Sequence, residues 1–213
     1  SPYVREAIRH CGEVLVSNVD GVGLEICDAR FSKCCGGITE EYKYYWDNIT
    51  KPYLLAVSDP YCNTTDKAVL QQVLNDYDRE TNDFYHWNVR ITKAKVRQLL
   101  KDKLHLDLGD IVAMEPVERG KSGRISQLKM IGTERSVIIG KELEIRRALS
   151  DSHLYSSAFD IEDDGDAFVL CGKGWGHGVG LCQIGAAVMG AKGFSYSDIL
   201  MHYYKNADIV KLY

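Results

Sequence analysis

A glycine-rich run near the C-terminus constrains the fold of this chain more than any other feature. Glycine occupies every second position from Gly172 to Gly180, and Lys173, Trp175 and His177 stand between the glycines. Glycine accepts backbone angles that other residues resist, and it lets a ligand or another chain segment approach closely. The run therefore predicts a tightly turned loop that presents an indole and an imidazole ring, either to a ligand groove or to the packed core of a sheet.

Composition excludes several classes of protein. The 213 residues are 45% hydrophobic and 26% charged, which is typical of a globular chain and unlike a disordered or fibrous one. A net charge of -4 provides no field that would attract a polyanion, so nucleic acid is not an expected partner. No apolar run approaches the roughly 18 residues that span a bilayer, so no membrane span is expected.

Hydrophobic periodicity predicts an α+β fold with a mixed or antiparallel sheet, several helices and no regular βαβ repeat. Three short strands separated by turns predict a β-meander in the middle of the chain, and a hairpin follows it. Ser195 and Asp198 have the spacing of a capping box for a last helix, and Thr92 is placed to cap an earlier one. The meander covers residues 111–117, 125–131 and 137–139, the hairpin joins 159–161 to 167–171, and further helices are predicted at 66–77, 141–149 and 179–191.

The seven cysteines give an odd count and no CxxC pair, which argues against a zinc ribbon and against a full disulfide framework. Most of them are expected to be small buried hydrophobic residues. For Cys35 two other hypotheses stay open. It could pair with Cys62 or Cys27 in an oxidising compartment, or act with His177 or His10 as a thiol nucleophile on peptide crosslinks.

Three separated segments carry a resemblance to a known family. They are residues 172–187, 193–204 and 31–39, the last of which reads Phe-Ser-Lys-Cys-Cys-Gly-Gly-Ile-Thr, and they occur in the family's order. Shorter similar pieces lie at 52–61 and 154–159. The chain in this respect resembles the stage II sporulation protein D and amidase-enhancer family over nearly its whole length. The variable middle suggests two domains, a core of residues 1–65 and 150–213 and an inserted α+β subdomain of residues 66–149.

The resemblance implies a protein that acts on peptidoglycan in the cell envelope. Sporulation members are lytic transglycosylases that cleave glycan strands next to N-acetylmuramic acid, a reaction that one carboxyl group can catalyse by giving and then accepting a proton. The enhancer branch implies the alternative, a non-catalytic glycan-binding module that assists a cell-wall amidase. The first residues lack the pattern of a signal peptide, so the chain is either cytoplasmic or part of a longer protein, and the resemblance favours an exported one.

The family's catalytic glutamate lies in an N-terminal segment, typically a Glu-Met pair, and this chain is expected to start downstream of it. None of its own glutamates sits in a matching motif, so no catalytic residue is predicted. Some members hold zinc through a Cys/His cluster that we place in the same upstream segment, so neither a metal nor another cofactor is predicted here.

Two loops supply the predicted substrate-binding residues. His177 is placed to orient a sugar, Trp175 to stack on one, and Gln183 to bind N-acetyl groups, although each is equally suited to plain packing. Thr39 offers a hydroxyl to the same groove or serves as a helix cap. The full predicted set is Cys35, Gly36, Gly37, Thr39, Trp175, His177 and Gln183.

Overall fold

The computed structural model describes residues 12–20, 22–74 and 85–211, together with Arg5. Within these ranges, helices and mostly antiparallel strands confirm the α+β prediction. The strands are β1 (Glu13–Val19), β2 (Gly23–Ile26), β3 (Phe31–Ser32), β4 (His86–Thr92), β5 (Ile111–Arg119), β6 (Ile125–Gly132), β7 (Ser136–Ile139), β8 (Phe159–Asp163), β9 (Ala167–Lys173), β10 (Leu181–Cys182) and β11 (Asp208–Lys211). The α-helices are α1 (Lys67–Val73), α2 (Lys93–Leu104), α3 (Glu142–Ala148), α4 (Gln183–Ala191) and α5 (Tyr196–Tyr203). Residues 75–77, the end of the predicted helix 66–77, lie outside the described residues.

One hydrophobic core, which we call the aliphatic core, is formed by two antiparallel sheets and two helices. The sheets have strand orders β4-β9-β8 and β5-β6-β7, and the second is the predicted meander. Helices α2 and α3 pack against them and bury Leu100 and Ile145 completely. Leu128 of β6 and Phe168 of β9 are likewise 0% and 1% exposed. Burial of aliphatic and aromatic area is the main source of stability in this part of the chain.

Helix α2 shows how the local sequence fixes these elements. The Thr92 hydroxyl accepts a hydrogen bond from the Lys95 N–H at 3.1 Å, which is the predicted N-cap. The apolar positions Val96, Leu99 and Leu100 share one face and are buried against the sheets. His105 ends the helix in the left-handed conformation at φ 56°. The predicted cap is confirmed.

A second core, which we call the cysteine-tyrosine core, is built largely from loops. Its fully buried side chains include Cys34, Tyr53 and Tyr203, each 0% exposed. Strands β3 and β10 contribute a short parallel pair, with Phe31 opposite Leu181. Helices α1, α4 and α5 and the sheet β11-β1-β2 surround this core.

The C-terminal helix begins as predicted. The Ser195 hydroxyl accepts from the Asp198 N–H at 3.1 Å, and the Asp198 carboxylate accepts from the Ser195 N–H at 3.0 Å. This reciprocal pair confirms the capping box of α5. The helix carries Tyr203 and presents it to the cysteine-tyrosine core.

Arg124 lies where the two cores meet, although it is only 1% exposed. Its guanidinium donates to the carbonyl oxygens of Cys35 and Gly176, each at 3.0 Å, and to the Ser122 hydroxyl at 3.0 Å. The fork of donors on arginine suits this task, because one side chain satisfies several carbonyls at once. Arg124 thereby ties the start of β6 to both of the loops that the sequence singled out.

The two-domain division stays a prediction. The aliphatic core draws its buried side chains from Trp87 to Leu170, and β4 in the predicted insertion pairs with β9 in the predicted core domain. No helix in the described part of the chain has the length and hydropathy needed to cross a membrane.

Candidate substrate cleft and cysteine cluster

The structure brings the two predicted loops together. The Cys34 N–H donates to the Trp175 carbonyl at 3.0 Å, and the Trp175 N–H donates to the Cys34 carbonyl at 2.8 Å. Gly36 lies so close to Gly174 that an added Cβ would approach the Gly174 nitrogen to 3.0 Å. Both glycines have positive φ, 79° and 74°, so the contact depends on the absence of side chains. Cys35, Gly36 and Trp175 of the predicted set are therefore neighbours.

Trp175 lies at the edge of a cleft with a volume of about 780 Å³. Its half-buried ring meets the Tyr155 ring edge to face, with the centroids 4.9 Å apart. The Lys33 ammonium lies 4.5 Å from the Trp175 ring centroid. The cleft therefore combines aromatic surface with a rim of polar residues, a composition typical of small-molecule and sugar sites. The other lining residues are Val89, Arg90, Ile91, Thr92, Lys95, Leu99 and residues 149–154.

His177 is placed differently from Trp175. Its ring packs edge to face against those of Tyr45 and Trp46, with centroids 5.2 and 5.0 Å away and interplanar angles of 62° and 63°. Its Nδ1 accepts the Val179 N–H at 3.0 Å, so that nitrogen carries no proton. Burial, followed by the positive charge of Arg124, lowers the pKa of His177 to about 4. The imidazole is consequently neutral near pH 7 and serves as a packed, hydrogen-bonded ring between aromatic side chains.

The remaining predicted residues take local structural positions. Thr39 is 0% exposed, and its hydroxyl accepts from the Val57 N–H at 2.8 Å and donates to the Leu55 carbonyl at 3.3 Å. It thus joins two loop segments, whereas the sequence had suggested a helix cap as its structural role. Gln183 is half-buried and is the first residue of α4, which begins four residues later than the predicted helix 179–191 because Leu181 and Cys182 form β10. Gly37 lies beneath the Tyr85 hydroxyl, which an added Cβ would approach to 2.8 Å.

The described glutamates that are most buried have structural roles. The Glu40 carboxylate accepts from the Ser122 hydroxyl at 2.6 Å and from the Lys121 N–H at 3.0 Å. Glu142 is 2% exposed and pairs with Arg146 at 3.4 Å, and burial raises its pKa. Among the described residues that line the cleft, Asp151 is the sole carboxylate, and it is paired with Lys95 at 2.6 Å. Glu40 and Glu142 are thus enclosed, whereas Asp151, whose side chain is 80% exposed, shares the cleft lining with Trp175.

Four buried side chains converge next to the predicted loop, and we call this group the cysteine cluster. One possible ligand atom from each side chain lies within 4.8 Å of the others. The Cys35 thiol is 3.5 Å from the Cys62 sulfur and 3.2 Å from Oδ2 of Asp59. The members of the cluster are Cys35, Asp59, Cys62 and Cys182.

Backbone donors point at the sulfur atoms of the cluster. Gly37 donates its N–H to Cys62 Sγ at 3.2 Å. Cys182 Sγ accepts the Cys35 N–H at 3.3 Å and the Gly185 N–H at 3.4 Å. Hydrogen bonds to a sulfur favour its charged thiolate form over the neutral thiol. These backbone donors therefore stabilise negative charge on the sulfur atoms of the cluster.

Hydrogen bonds between the thiols shift the pKa values of Cys62 and Cys35 in opposite directions. The bond with Cys182, followed by those with Cys34 and Cys35, holds the pKa of Cys62 well below its usual range. The bond with Cys182 raises the pKa of Cys35 well above its usual range. Burial, followed by the charge of Cys62, raises the pKa of Asp59. Between Cys35 and Cys62, these directions favour the thiolate on Cys62.

The position of Cys35 bears on both hypotheses for this cysteine. It is 1% exposed, so its thiol faces the cluster and not the solvent that a hydrolase nucleophile must reach. Cys62, one of the two expected pairing partners, is its neighbour, but both thiols are free in the structure. The sequence did not predict the full cluster, because its members come from separate segments. The spacing Asp59-x-x-Cys62, read together with Cys35, was the available signal.

Comparisons with known proteins identify relatives of the chain. A family model described as "Domain of unknown function (DUF8618)" matches residues 40–180, about two thirds of the chain. An uncharacterised protein of Brachyspira hyodysenteriae is 29% identical over 180 residues, which are 84% of this chain and 42% of that protein.

Two relatives carry descriptive names. A protein of Bacillus amyloliquefaciens named "Stage II sporulation protein D" is 28% identical over 182 residues, 85% of this chain and 44% of the relative. A protein of Bacillus subtilis named "Amidase enhancer" is 24% identical over 202 residues, 83% of this chain and 28% of the relative. The chain thus spans less than half the length of the relatives it matches. It belongs to the DUF8618 domain family, and its similarity to these relatives confirms the predicted resemblance to the stage II sporulation protein D and amidase-enhancer family.

Proposed function

We propose that this chain binds peptidoglycan outside the cytoplasm, as the glycan-binding portion of a protein that remodels the cell wall. The names of the relatives support this proposal, because sporulation and the enhancement of an amidase both concern the cell wall. In the whole protein we expect a lytic transglycosylase that cleaves glycan strands next to N-acetylmuramic acid.

One observation carries the proposal, the half-buried Trp175 ring at the edge of the cleft, beside Tyr155. A pyranose ring has an apolar C–H face and a rim of hydroxyl groups, so it gains from contact with an aromatic ring that has polar neighbours. The polar rim here includes the backbone and side chains of residues 150–153. A volume of about 780 Å³ is large enough for a short stretch of glycan.

In the proposed reaction, this chain binds the substrate and another segment of the whole protein supplies the acid. This chain supplies binding and orientation through Trp175 of the Gly174–Gly176 loop, which packs on the Cys35–Gly37 loop and holds the substrate in a reactive position. The acid that protonates the glycosidic oxygen would come from another segment of the whole protein, where the resemblance places the family's catalytic glutamate.

Binding to purified cell-wall sacculi tests the proposal. The chain should sediment with sacculi, and Trp175→Ala should weaken binding about tenfold, which corresponds to about 1.4 kcal/mol of lost contact. Tyr196→Ala is the matched control, because it removes an aromatic ring that is 62% exposed and lies outside the cleft lining. Equal binding by wild type and Trp175→Ala, with both proteins folded, would reject this cleft as the glycan site.

A second function, assistance to a cell-wall amidase without cleavage of glycan, is favoured by the relative named "Amidase enhancer". Muropeptide products separate the two functions. A lytic transglycosylase releases anhydro-muropeptides when the whole protein digests sacculi. An enhancer releases none by itself, but it accelerates the release of stem peptides by an added amidase.

A further inference from the structure

We propose that the cysteine cluster is a structural zinc site, which fixes the Cys35–Gly37 loop against the cleft. The proposal does not depend on the identity of the substrate, because it concerns only what the four buried side chains hold.

The geometry of the cluster is close to that of an occupied tetrahedral site. Zinc binds thiolate sulfur at about 2.3 Å and carboxylate oxygen at about 2.0–2.2 Å, so neighbouring ligand atoms lie roughly 3.3–3.8 Å apart. In the cluster, Cys35 Sγ lies 3.5 Å from Cys62 Sγ and 3.2 Å from Asp59 Oδ2. No pair of ligand atoms is more than 4.8 Å apart. The most widely separated ligand atoms would have to approach by up to about 1 Å to complete the tetrahedron.

The donor set selects the metal. Three cysteine sulfurs with one carboxylate oxygen suit a borderline-soft divalent ion such as zinc, whereas calcium and magnesium require oxygen ligands. Cys35, Cys62 and Asp59 are each 1% exposed, and Cys182 is 0% exposed. Because four ligands are enclosed and none faces solvent, no coordination position remains for water or substrate. These features indicate a structural site and not a catalytic one.

The groups around the ligands form the outer shell that zinc sites require. The Tyr203 hydroxyl donates to Asp59 Oδ2 at 3.0 Å, and the Tyr61 N–H donates to Oδ1 at 2.9 Å. These bonds orient the carboxylate, as the backbone N–H groups orient Cys62 and Cys182. Gly185 completes the shell, because any side chain there would collide with the Tyr203 hydroxyl and the Asp59 carboxylate.

Charge gives a further argument. A buried carboxylate beside thiolates carries a large desolvation cost unless a cation compensates it. No ion pair among the described residues involves Asp59. Arg124 donates to the Cys35 carbonyl and not to the cluster's ligand atoms. A divalent cation among the four ligands would supply the missing positive charge.

Zinc would connect distant parts of the chain. Cys35 follows β3, Asp59 and Cys62 lie in the next loop, and Cys182 caps α4. The backbone of Cys34 is hydrogen-bonded to that of Trp175. A metal at the neighbouring Cys35 would therefore also restrict the motion of the loop that carries the indole. The ion would therefore act as a positioning element for the cleft wall without touching the substrate.

The test begins with the metal content of the whole chain, produced with zinc and purified under reducing conditions. Elemental analysis should find about one zinc per chain. Chelation should remove the ion, and cobalt added to the apo chain should give the intense absorption of cobalt–thiolate bonds. Because this measurement uses the wild-type sequence, it does not depend on whether any variant folds.

Three variants then locate the ligands. Cys62→Ser should lose at least about 90% of the bound zinc, since it removes one of four ligands. Tyr203→Phe should keep the stoichiometry but weaken zinc affinity about 10–100-fold, as expected for an outer-shell partner. Cys27→Ser is the matched control, because Cys27 is a buried cysteine of the same core outside the cluster, and it should keep wild-type zinc.

Two results would overturn the proposal. One is a reduced wild-type chain that takes up neither zinc nor cobalt. The other is a Cys35–Cys62 disulfide in the isolated protein whose reduction restores no metal binding, which would make the cluster a redox pair. Equal zinc in wild type and Cys62→Ser would also contradict the assignment of this ligand.

Discussion

The two cores of this protein are stabilised in different ways. The aliphatic core buries Leu100, Leu128 and Ile145 between regular helices and sheets, where the stabilisation grows with the apolar area removed from water. The cysteine-tyrosine core buries thiols, hydroxyls and the Asp59 carboxylate between loops, where each polar group needs a specific partner. The stability of the aliphatic core therefore depends on how much apolar area and volume is buried. The stability of the cysteine-tyrosine core depends on specific ligands and hydrogen bonds.

The largest effect should come from Phe168→Ala in the aliphatic core. Phe168 is 1% exposed, so truncation leaves a cavity and should lower the free energy of unfolding by about 3–5 kcal/mol. Urea unfolding at saturating zinc measures the loss. If the cores are independent, the zinc content of the folded variant should equal that of wild type. A simultaneous loss of zinc would show that the cores form one cooperative unit.

A surface substitution on the meander, the other sheet of the aliphatic core, provides the control. Ile138 of β7 is 57% exposed, and Ile138→Ala should change the free energy of unfolding by less than about 0.5 kcal/mol. A loss as large as that of Phe168→Ala would contradict the view that burial decides the effect.

A smaller effect should appear as pH dependence at the edge of the cysteine-tyrosine core. The folded pKa of His177 is lowered to about 4, chiefly by burial and then by Arg124 and Arg146, while a hydrogen bond to the Phe31 backbone opposes the shift. Because the unfolded chain binds the proton more readily, stability is complete above the unfolded pKa of about 6.5 and falls as the pH decreases towards 4.

The fall due to His177 should be about 2 kcal/mol between about pH 7 and about pH 5. His177→Gln should remove that part of the pH dependence, since an amide does not titrate in this range. Comparing the two proteins by urea unfolding at each pH cancels the contribution of all other groups. Identical pH profiles would mean that the ring is more accessible to water than its packing against Tyr45 and Trp46 indicates.

The smallest effect should come from Ser195→Ala, which removes the cap of α5. Loss of the hydroxyl acceptor for the Asp198 N–H should reduce stability by about 1 kcal/mol. Helix α5 carries Tyr203, so zinc affinity should fall slightly while the stoichiometry stays at one. Ser197→Ala, on the same helix but outside the cap, is the control and should leave both quantities unchanged.

The sequence predicted the aliphatic core well, because the relevant signals are local. The spacing of Val96, Leu99 and Leu100 marks one face of a helix, and the alternation in residues 125–131 marks a strand, without knowledge of any distant residue. The capping residues Thr92 and Ser195 are equally local signals. Glycine at alternate positions correctly indicated unusual backbone angles, which the structure shows at Gly174 and Gly176.

The candidate site was harder to predict, because its contacts join segments that are far apart in sequence. The partner of Trp175 is Tyr155, and the partners of Cys35 are Asp59, Cys62 and Cys182. His177 packs beside Tyr45 and Trp46, a contact that a glycine-flanked position did not suggest. Cysteine spacing alone argues against a zinc ribbon, and it had no means of showing a cluster assembled by tertiary folding.

The pairing of β4 with β9 has a consequence for how this protein could be re-engineered. His86 stands opposite Lys173, so the chain enters and leaves the aliphatic core at two points separated by about 5 Å, the spacing of neighbouring strands. An element with adjacent ends can be exchanged as a cassette, because a short hairpin bridges the same gap. The segment between His86 and Lys173 could therefore be replaced or shortened by grafting. The loops before and after it would keep their positions.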